Sequence, residues 1–153
     1  QFAYPDTPVI CVAGDGGIQM NIQELATATA YGLPVIICIF NNSYLGMVRQ
    51  WQQLFYGKRY SSTCTRRRKS CSATCKGPGP QCPKYEPDFV KLAESYEGYG
   101  MRIEKEEEIE KAFRFAMEHR DAPTILEFII DSEELVLPMV QGGQALDHMI
   151  LEC

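Results

Sequence analysis

Residues 9–17 read VICVAGDGG and residues 35–42 read VIICIFNN. Each begins with a short run of mostly β-branched apolar residues, the composition of a strand buried on both faces of a parallel sheet. The segment between them carries the marks of a helix. Ala26, Ala28 and Ala30 favour it, Asn21 and Glu24 have capping-box spacing, and Gly32 followed by Pro34 ends it. Strand, helix and strand predict a right-handed βαβ unit. Asp15 and Asn42 then emerge side by side at the carboxyl edge of adjacent parallel strands, where open α/β sheets bind ligands.

Hardness and charge decide which ligand such a pair would hold. One carboxylate, one amide oxygen and a backbone carbonyl are too few ligands for a closed calcium cage. They suit a magnesium ion that completes its octahedron with water and phosphate oxygens. Gly16 and Gly17 add to this, because residues without Cβ let backbone N–H groups approach an anion next to a helix amino terminus. The plain alternative is that residues 14–17 are a tight turn and Asn41-Asn42 a polar strand end.

At these residues the chain resembles the thiamine diphosphate (ThDP) enzymes, whose cofactor motif is GDG, a gap of this length, then NN. The likeness runs further. NIQELATA (21–28), GMVRQWQQLFYGKRYS (46–61), PDFVKLAESY (87–96) and LPMVQGGQALDHMI (137–150) resemble the carboxyl-terminal part of the large catalytic subunit of acetohydroxyacid synthase, or acetolactate synthase. Pyruvate oxidases and simple decarboxylases share GDG and NN but do not look like this after Asn42.

The resemblance implies an α/β fold of three layers, a mainly parallel sheet flanked by helices. Residues 1–153 would be the C-terminal ThDP- and Mg2+-binding domain of a longer enzyme, with a Cys-rich insert at about 63–84. Asp15, Asn42 and the Tyr44 carbonyl would ligate magnesium. Gly14, Gly16, Gly17, Gly46 and Met47 would join them around the cofactor. Where many relatives carry Ser or Ala, Gly17 removes a hydroxyl contact but leaves the backbone one. Met47, Val48 and Trp51 would line the substrate pocket, Trp51 favouring 2-ketobutyrate as second substrate. Without the resemblance, the helical spacing of Val48, Trp51 and Phe55 reads as a core anchor. Met20 either packs near the cofactor or fills the core.

The implied reaction condenses pyruvate with pyruvate or 2-ketobutyrate, losing CO2. The glutamate that activates the cofactor belongs, in the family, to a partner subunit. No residue here is therefore assigned a catalytic role, Glu24 included. FAD in a preceding domain, a second catalytic subunit and a small regulatory subunit are implied as well. Two alternatives stay open, another ThDP-dependent pyruvate carboligase or oxidase, and a noncatalytic metal-binding interaction module.

Composition fits such a piece. With 153 residues, 45% of them apolar, the chain is one domain able to bury about two thirds of its unfolded surface. A net charge of −5 argues against general nucleic-acid binding. No apolar run approaches the roughly 20 residues of a membrane span and no signal-peptide pattern opens the chain, so a cytoplasmic protein is expected. Downstream, a helix from Pro87 to about Tyr96 should bury Phe89, Val90, Leu92 and Ala93, and Gly98 and Gly100 should break it before a short strand. A second helix over 106–119 should place Ile109, Ala112, Phe113 and Ala116 inward, its acidic start solvated and complementing the helix dipole. Residues 124–130 (TILEFII) read as the last strand, and 135–153 as a tail packed over the domain. His119 and His148 read as surface histidines.

The insert departs from the family. Cys64, Cys71, Cys75 and Cys82 have gaps of six, three and six residues, with KGPGP (76–80) between the last two. Clustered thiols in a reducing compartment point to a metal, Zn2+ or an iron–sulfur cluster, or to free or redox-labile thiols. Only Cys71 and Cys75 approach the short-gap spacing of a zinc signature. Arg66-Arg67-Arg68-Lys69, without interleaved aromatics, reads as a run attracting anionic ketoacids or a regulatory partner rather than nucleic acid.

Overall fold

The computed structural model describes residues 1–72, 74, 75, 77, 78, 81, 82 and 87–152. The two apolar runs form β1 (Ile10–Gly14) and β2 (Ile36–Asn41), paired in parallel with Gly14 opposite Phe40. The helix expected between them is two helices, a single turn α1 (Asp15–Ile18) and α2 (Glu24–Ala30). The Asn21–Glu24 capping box does not form, and Gln23 occupies the N-cap without a side-chain bond. Successive turns link the helices instead, Met20 N–H donating to Gly17 O at 3.2 Å and Glu24 N–H to Asn21 O at 3.1 Å. Backbone carbonyls thus do the capping that side chains were expected to do.

Next come α3 (Gly46–Phe55), α4 (Phe89–Ser95), β3 (Tyr99–Ile103), a 3-10 turn (Glu106–Glu108) leading into α5 (Ile109–Glu118), and β4 (Thr124–Ile129). The sheet order is β1-β2-β4-β3, all parallel. Alternation along each strand sends side chains to two cores. Ile36, Cys38, Leu126 and Phe128 pack with Ala112 and Ala116 of α5, while Ile37, Ile39 and Ile125 pack with Leu25 of α2 and Phe89 and Ala93 of α4. Helices on both faces of a parallel sheet make the expected three-layer α/β fold.

Several local expectations change. α4 starts at Phe89, because the Asp88 carboxylate caps it by accepting from Lys91 N–H at 3.3 Å. Ile109 is exposed at the start of α5 rather than inward. The tail is not packed throughout: it forms a small antiparallel pair, β5 (Met139–Val140) with β6 (Met149–Ile150), and residues 141–149 are exposed. Cys153 lies outside the described residues. His119 is half-buried, its ring 4.1 Å from Tyr99 and 4.3 Å from Phe115, with Nδ1 2.7 Å from Phe115 O. It packs as an aromatic at the end of α5, whereas His148 is exposed. Among the described residues no helix is long and apolar enough to cross a membrane.

β3 lies tight against α4. A Cβ at Gly100 would stand 2.9 Å from Val90 Cα and 3.0 Å from its carbonyl oxygen. Gly100→Ala must push helix from sheet and should cost about 1–3 kcal/mol, read as a lowered midpoint in chemical denaturation.

Candidate cofactor site

β1 and β2 end together, and the turn after one meets the loop after the other at Gly16 and Leu45. A Cβ at Gly16 would collide with Leu45 Cδ2, and one at Gly46 would stand 2.8 Å from Asn42 Nδ2. Gly16 thus lets the 14–17 turn meet Leu45 of the loop after β2, while Gly46 lets the Asn42 side chain fold back against its own loop. Gly14 and Gly17 face open space. Gly17 thus leaves its surroundings free for an anion.

The 41–44 loop is bent by its own side chains. Asn41 Oδ1 accepts from Ser43 N–H at 3.0 Å and Asn42 Oδ1 from Tyr44 N–H at 3.0 Å. These two successive Asx turns hold Ser43 at φ +65°, a left-handed conformation that costs a non-glycine residue about 1–3 kcal/mol. The bend sets the Tyr44 backbone beside Asn42. The two asparagines diverge in role: Asn41 is buried and its Nδ2 donates to Glu127 Oε1 at 2.7 Å, while Asn42 is half-buried at the edge.

Glu127 is a carboxylate without solvent exposure in the middle of β4. Arg102 of β3 answers it, Nε donating to Oε2 at 2.8 Å, and passes on through Nη2 to Asp88 at 2.7 Å. Burial pushes the Asp88 carboxyl up, but the Arg102 and Lys91 donors outweigh it and hold it below the usual carboxylate value. One chain of charge-assisted bonds therefore joins the α4 cap, β3, β4 and the end of β2. TILEFII carried a visible signal, a lone glutamate in an apolar strand, that sequence reading passed over.

Asp15 is buried, its Oδ2 accepting from Thr65 Oγ1 at 2.8 Å. Loss of solvation pushes its carboxyl above the ordinary value; Thr65, the backbone N–H groups of Asp15 and Gly16, and the charge of Arg66 act the other way. Among the described residues no salt bridge compensates it. A desolvated carboxylate with unused lone pairs is chemically suited to a cation. Thr65 was not foreseen. It belongs to the Cys-rich segment, which begins by pairing with the 43–45 loop: Leu45 N–H donates to Thr63 O at 2.8 Å and Thr65 N–H to Ser43 O at 2.9 Å.

α3 is amphipathic in an inverted sense. Arg49 and Gln50 are buried, while Met47, Val48 and Trp51 are about half exposed at 49%, 49% and 48%. Trp51 is therefore no core anchor, and the three apolar side chains share one uncovered face. Met20, 74% exposed, does not fill the core either. Gln50 clamps the tail, donating to Val136 O at 2.9 Å and accepting from Val136 N–H at 2.8 Å. The Arg49 guanidinium lies over Tyr44 and Tyr60, 5.3 and 5.1 Å from their ring centres, and reaches Glu133 at 3.3 Å. Burial first, and then the neighbouring Cys64, push the Tyr44 phenol up to about 12. Neither Arg49 nor Gln50 announced itself in the sequence, since polar residues on a helix read as its solvent face.

Residues 1–128 match the family model described as thiamine pyrophosphate enzyme, C-terminal TPP binding domain. The chain belongs to this family. This TPP-binding domain is 41% identical over 151 residues to the acetolactate synthase large subunit of Haemophilus influenzae, covering 99% of the chain and 23% of that protein. It is 46% identical to the probable acetolactate synthase large subunit of Methanococcus aeolicus, covering 97% and 21%, and 38% identical to isozyme 3 of Escherichia coli, covering 99% and 24%. The chain thus spans about a fifth to a quarter of these relatives' length. Among solved structures, a thiamine diphosphate-dependent 4-hydroxybenzoylformate decarboxylase from Rhodococcus jostii superposes with a TM-score of 0.66 at 30% identity, covering 87% of the chain and 22% of that structure.

In this TPP-binding domain, Glu127→Ala would remove the buried acceptor of Arg102 Nε and Asn41 Nδ2. It should destabilise the fold by about 3–5 kcal/mol in denaturant titration. Asp15 acts in the opposite sense. With its carboxyl raised in the fold, it subtracts stability above that raised value and ceases to do so as pH falls towards 3.8. Asp15→Asn should therefore raise the melting temperature of the cofactor-free protein at neutral pH, and flatten its pH dependence across that window.

Proposed function

We propose that this domain is the cofactor-binding part of an acetolactate synthase that condenses pyruvate with a second pyruvate or with 2-ketobutyrate in branched-chain amino acid biosynthesis. The observation that supports the reading is that β1 and β2 end side by side, with Thr65 bonded both to the buried Asp15 carboxylate and to the Ser43 carbonyl of the loop after β2. Asp15, Asn42 and the Tyr44 carbonyl would hold Mg2+, and Gly16 and Gly17 would donate backbone N–H bonds to the diphosphate. Gly14, Gly46 and Met47 complete the cofactor's surroundings. ThDP, when bound, supplies the electron sink for decarboxylation and carbon–carbon bond formation.

The chain's own contribution is binding and orientation. The Glu127 clamp keeps Asn41, and with it Asn42, in place; Thr65 fixes the Asp15 carboxylate by its hydroxyl. The uncovered face of α3 offers Met47, Val48 and Trp51 to the ketoacid side of the cleft and excludes water there. Glu24 is exposed on α2 and bonded to Thr27 Oγ1 at 3.3 Å, which suits a solvated helix start rather than a proton-transfer role. The activating glutamate is accordingly assigned to a second catalytic subunit. FAD, a small regulatory subunit and a cytoplasmic setting belong to the same reading, which rests on the relatives' identity as large subunits.

The test is titration of the full-length enzyme with ThDP and Mg2+, followed by product analysis with mixed ketoacids. Asp15→Ala should abolish Mg2+-dependent ThDP binding; unchanged affinity would overturn the assignment. Trp51→Leu should lower the preference for 2-ketobutyrate over pyruvate by roughly tenfold or more, since one pocket contact discriminates on that scale. The 153-residue chain alone should form no acetolactate, because half of the cleft is missing.

A further inference from the structure

We propose that Cys64, Cys71, Cys75 and Cys82 jointly ligate one zinc-class divalent cation as thiolates, a structural centre that fastens the Cys-rich loop over Tyr44. All four line a single cavity of about 20 Å3, walled on the other side by Tyr44 and Gly77. The gaps of six, three and six residues gave no familiar signature, yet the fold sets all four cysteines around one cavity. The volume is that of about one water-sized occupant, the size of a lone ion, and Cys71, Cys75 and Cys82 also line a wider opening of about 440 Å3 beside it. Four soft sulfur donors select a thiophilic, tetrahedral cation over magnesium.

Burial and the neighbouring cysteines push the Cys64 thiol above its ordinary value, and backbone donors act against them. Arg66 N–H donates to the Cys64 sulfur, and Arg68 N–H to Cys71 Sγ at 3.3 Å. Such donors orient ligands and favour the anionic form. Four thiolates around a divalent cation leave an excess of two negative charges. Arg66 and Arg67 line the same cavity, and Arg66 Nε is buried with no hydrogen-bond partner among the described residues. The basic run, which the proposed catalytic role does not use, thereby acquires a counter-charge.

Among the described residues no three or more His, Cys, Asp or Glu side chains stand in cation-ligating geometry. Cys75 Sγ still donates to Gly77 O at 3.4 Å. Closure requires that bond to break, the thiol protons to leave to solvent, and sulfurs to turn between staggered χ1 wells. Part of the wall is already in contact, since Cys64 bridges Tyr44 and a side chain at Gly77 would collide with the Tyr44 hydroxyl. Of the KGPGP stretch only Gly77 and Pro78 are described; Lys76, Gly79 and Pro80 lie outside the described residues. The centre uses none of the proposed magnesium ligands and does not depend on the proposed synthase activity.

The test is metal analysis of the full-length protein, purified without chelator under reducing, anaerobic conditions. About one zinc per chain is expected, released in step with modification of four thiols by a mercurial reagent, with a cobalt-substituted form showing tetrahedral thiolate absorption. Cys75→Ser and Cys82→Ser should lose the metal, and Cys11→Ser, on exposed β1, should keep it. If the loop variants fail to fold, the mercurial titration of the unaltered protein still decides. Zinc-free protein with reactive thiols, a mass lower by the protons of two disulfides, or iron with sulfide would each overturn the proposal.

Discussion

The carboxylate of Glu127 is the interaction on which the site depends. A group with no solvent exposure cannot keep its charge without partners, and Arg102 and Asn41 supply one bond to each oxygen. The first bond carries charge compensation out to the α4 cap. The second takes the amide of Asn41 out of any ligand role and anchors the strand end from which Asn42 and Tyr44 project. Burial here makes the network rigid, because a half-satisfied version would leave a charge in a low-dielectric interior.

The same logic runs through α3. Its polar residues are inside because Arg49 has two aromatic faces and a carboxylate to meet, and Gln50 has a backbone to pair with. Its apolar residues Met47, Val48 and Trp51 are left half exposed.

The Cys-rich segment is likewise joined to the site. It starts by adding Thr63 and Thr65 to the 43–45 loop, touches Asp15 through Thr65, and returns to cover the Tyr44 ring with Gly77. Whatever holds this segment in shape also holds the backbone from which the cofactor's cation would be bound.

Sequence by itself determined the βαβ unit, the parallel three-layer class and the placing of Asp15 and Asn42 at neighbouring strand ends, because β-branched runs and glycine turns are local signals. It carried the family too, in the GDG and NN motifs and the segments after them. The tertiary structure alone decided which asparagine is structural, why Glu127 sits in an apolar strand, which face of α3 is buried, and that four unevenly spaced cysteines share one cavity. Those outcomes rest on contacts between residues distant in the chain, such as Asn41 with Glu127 and Thr65 with Asp15. A polar residue looks the same in sequence whether its partner is water or a buried charge, and only packing distinguishes them.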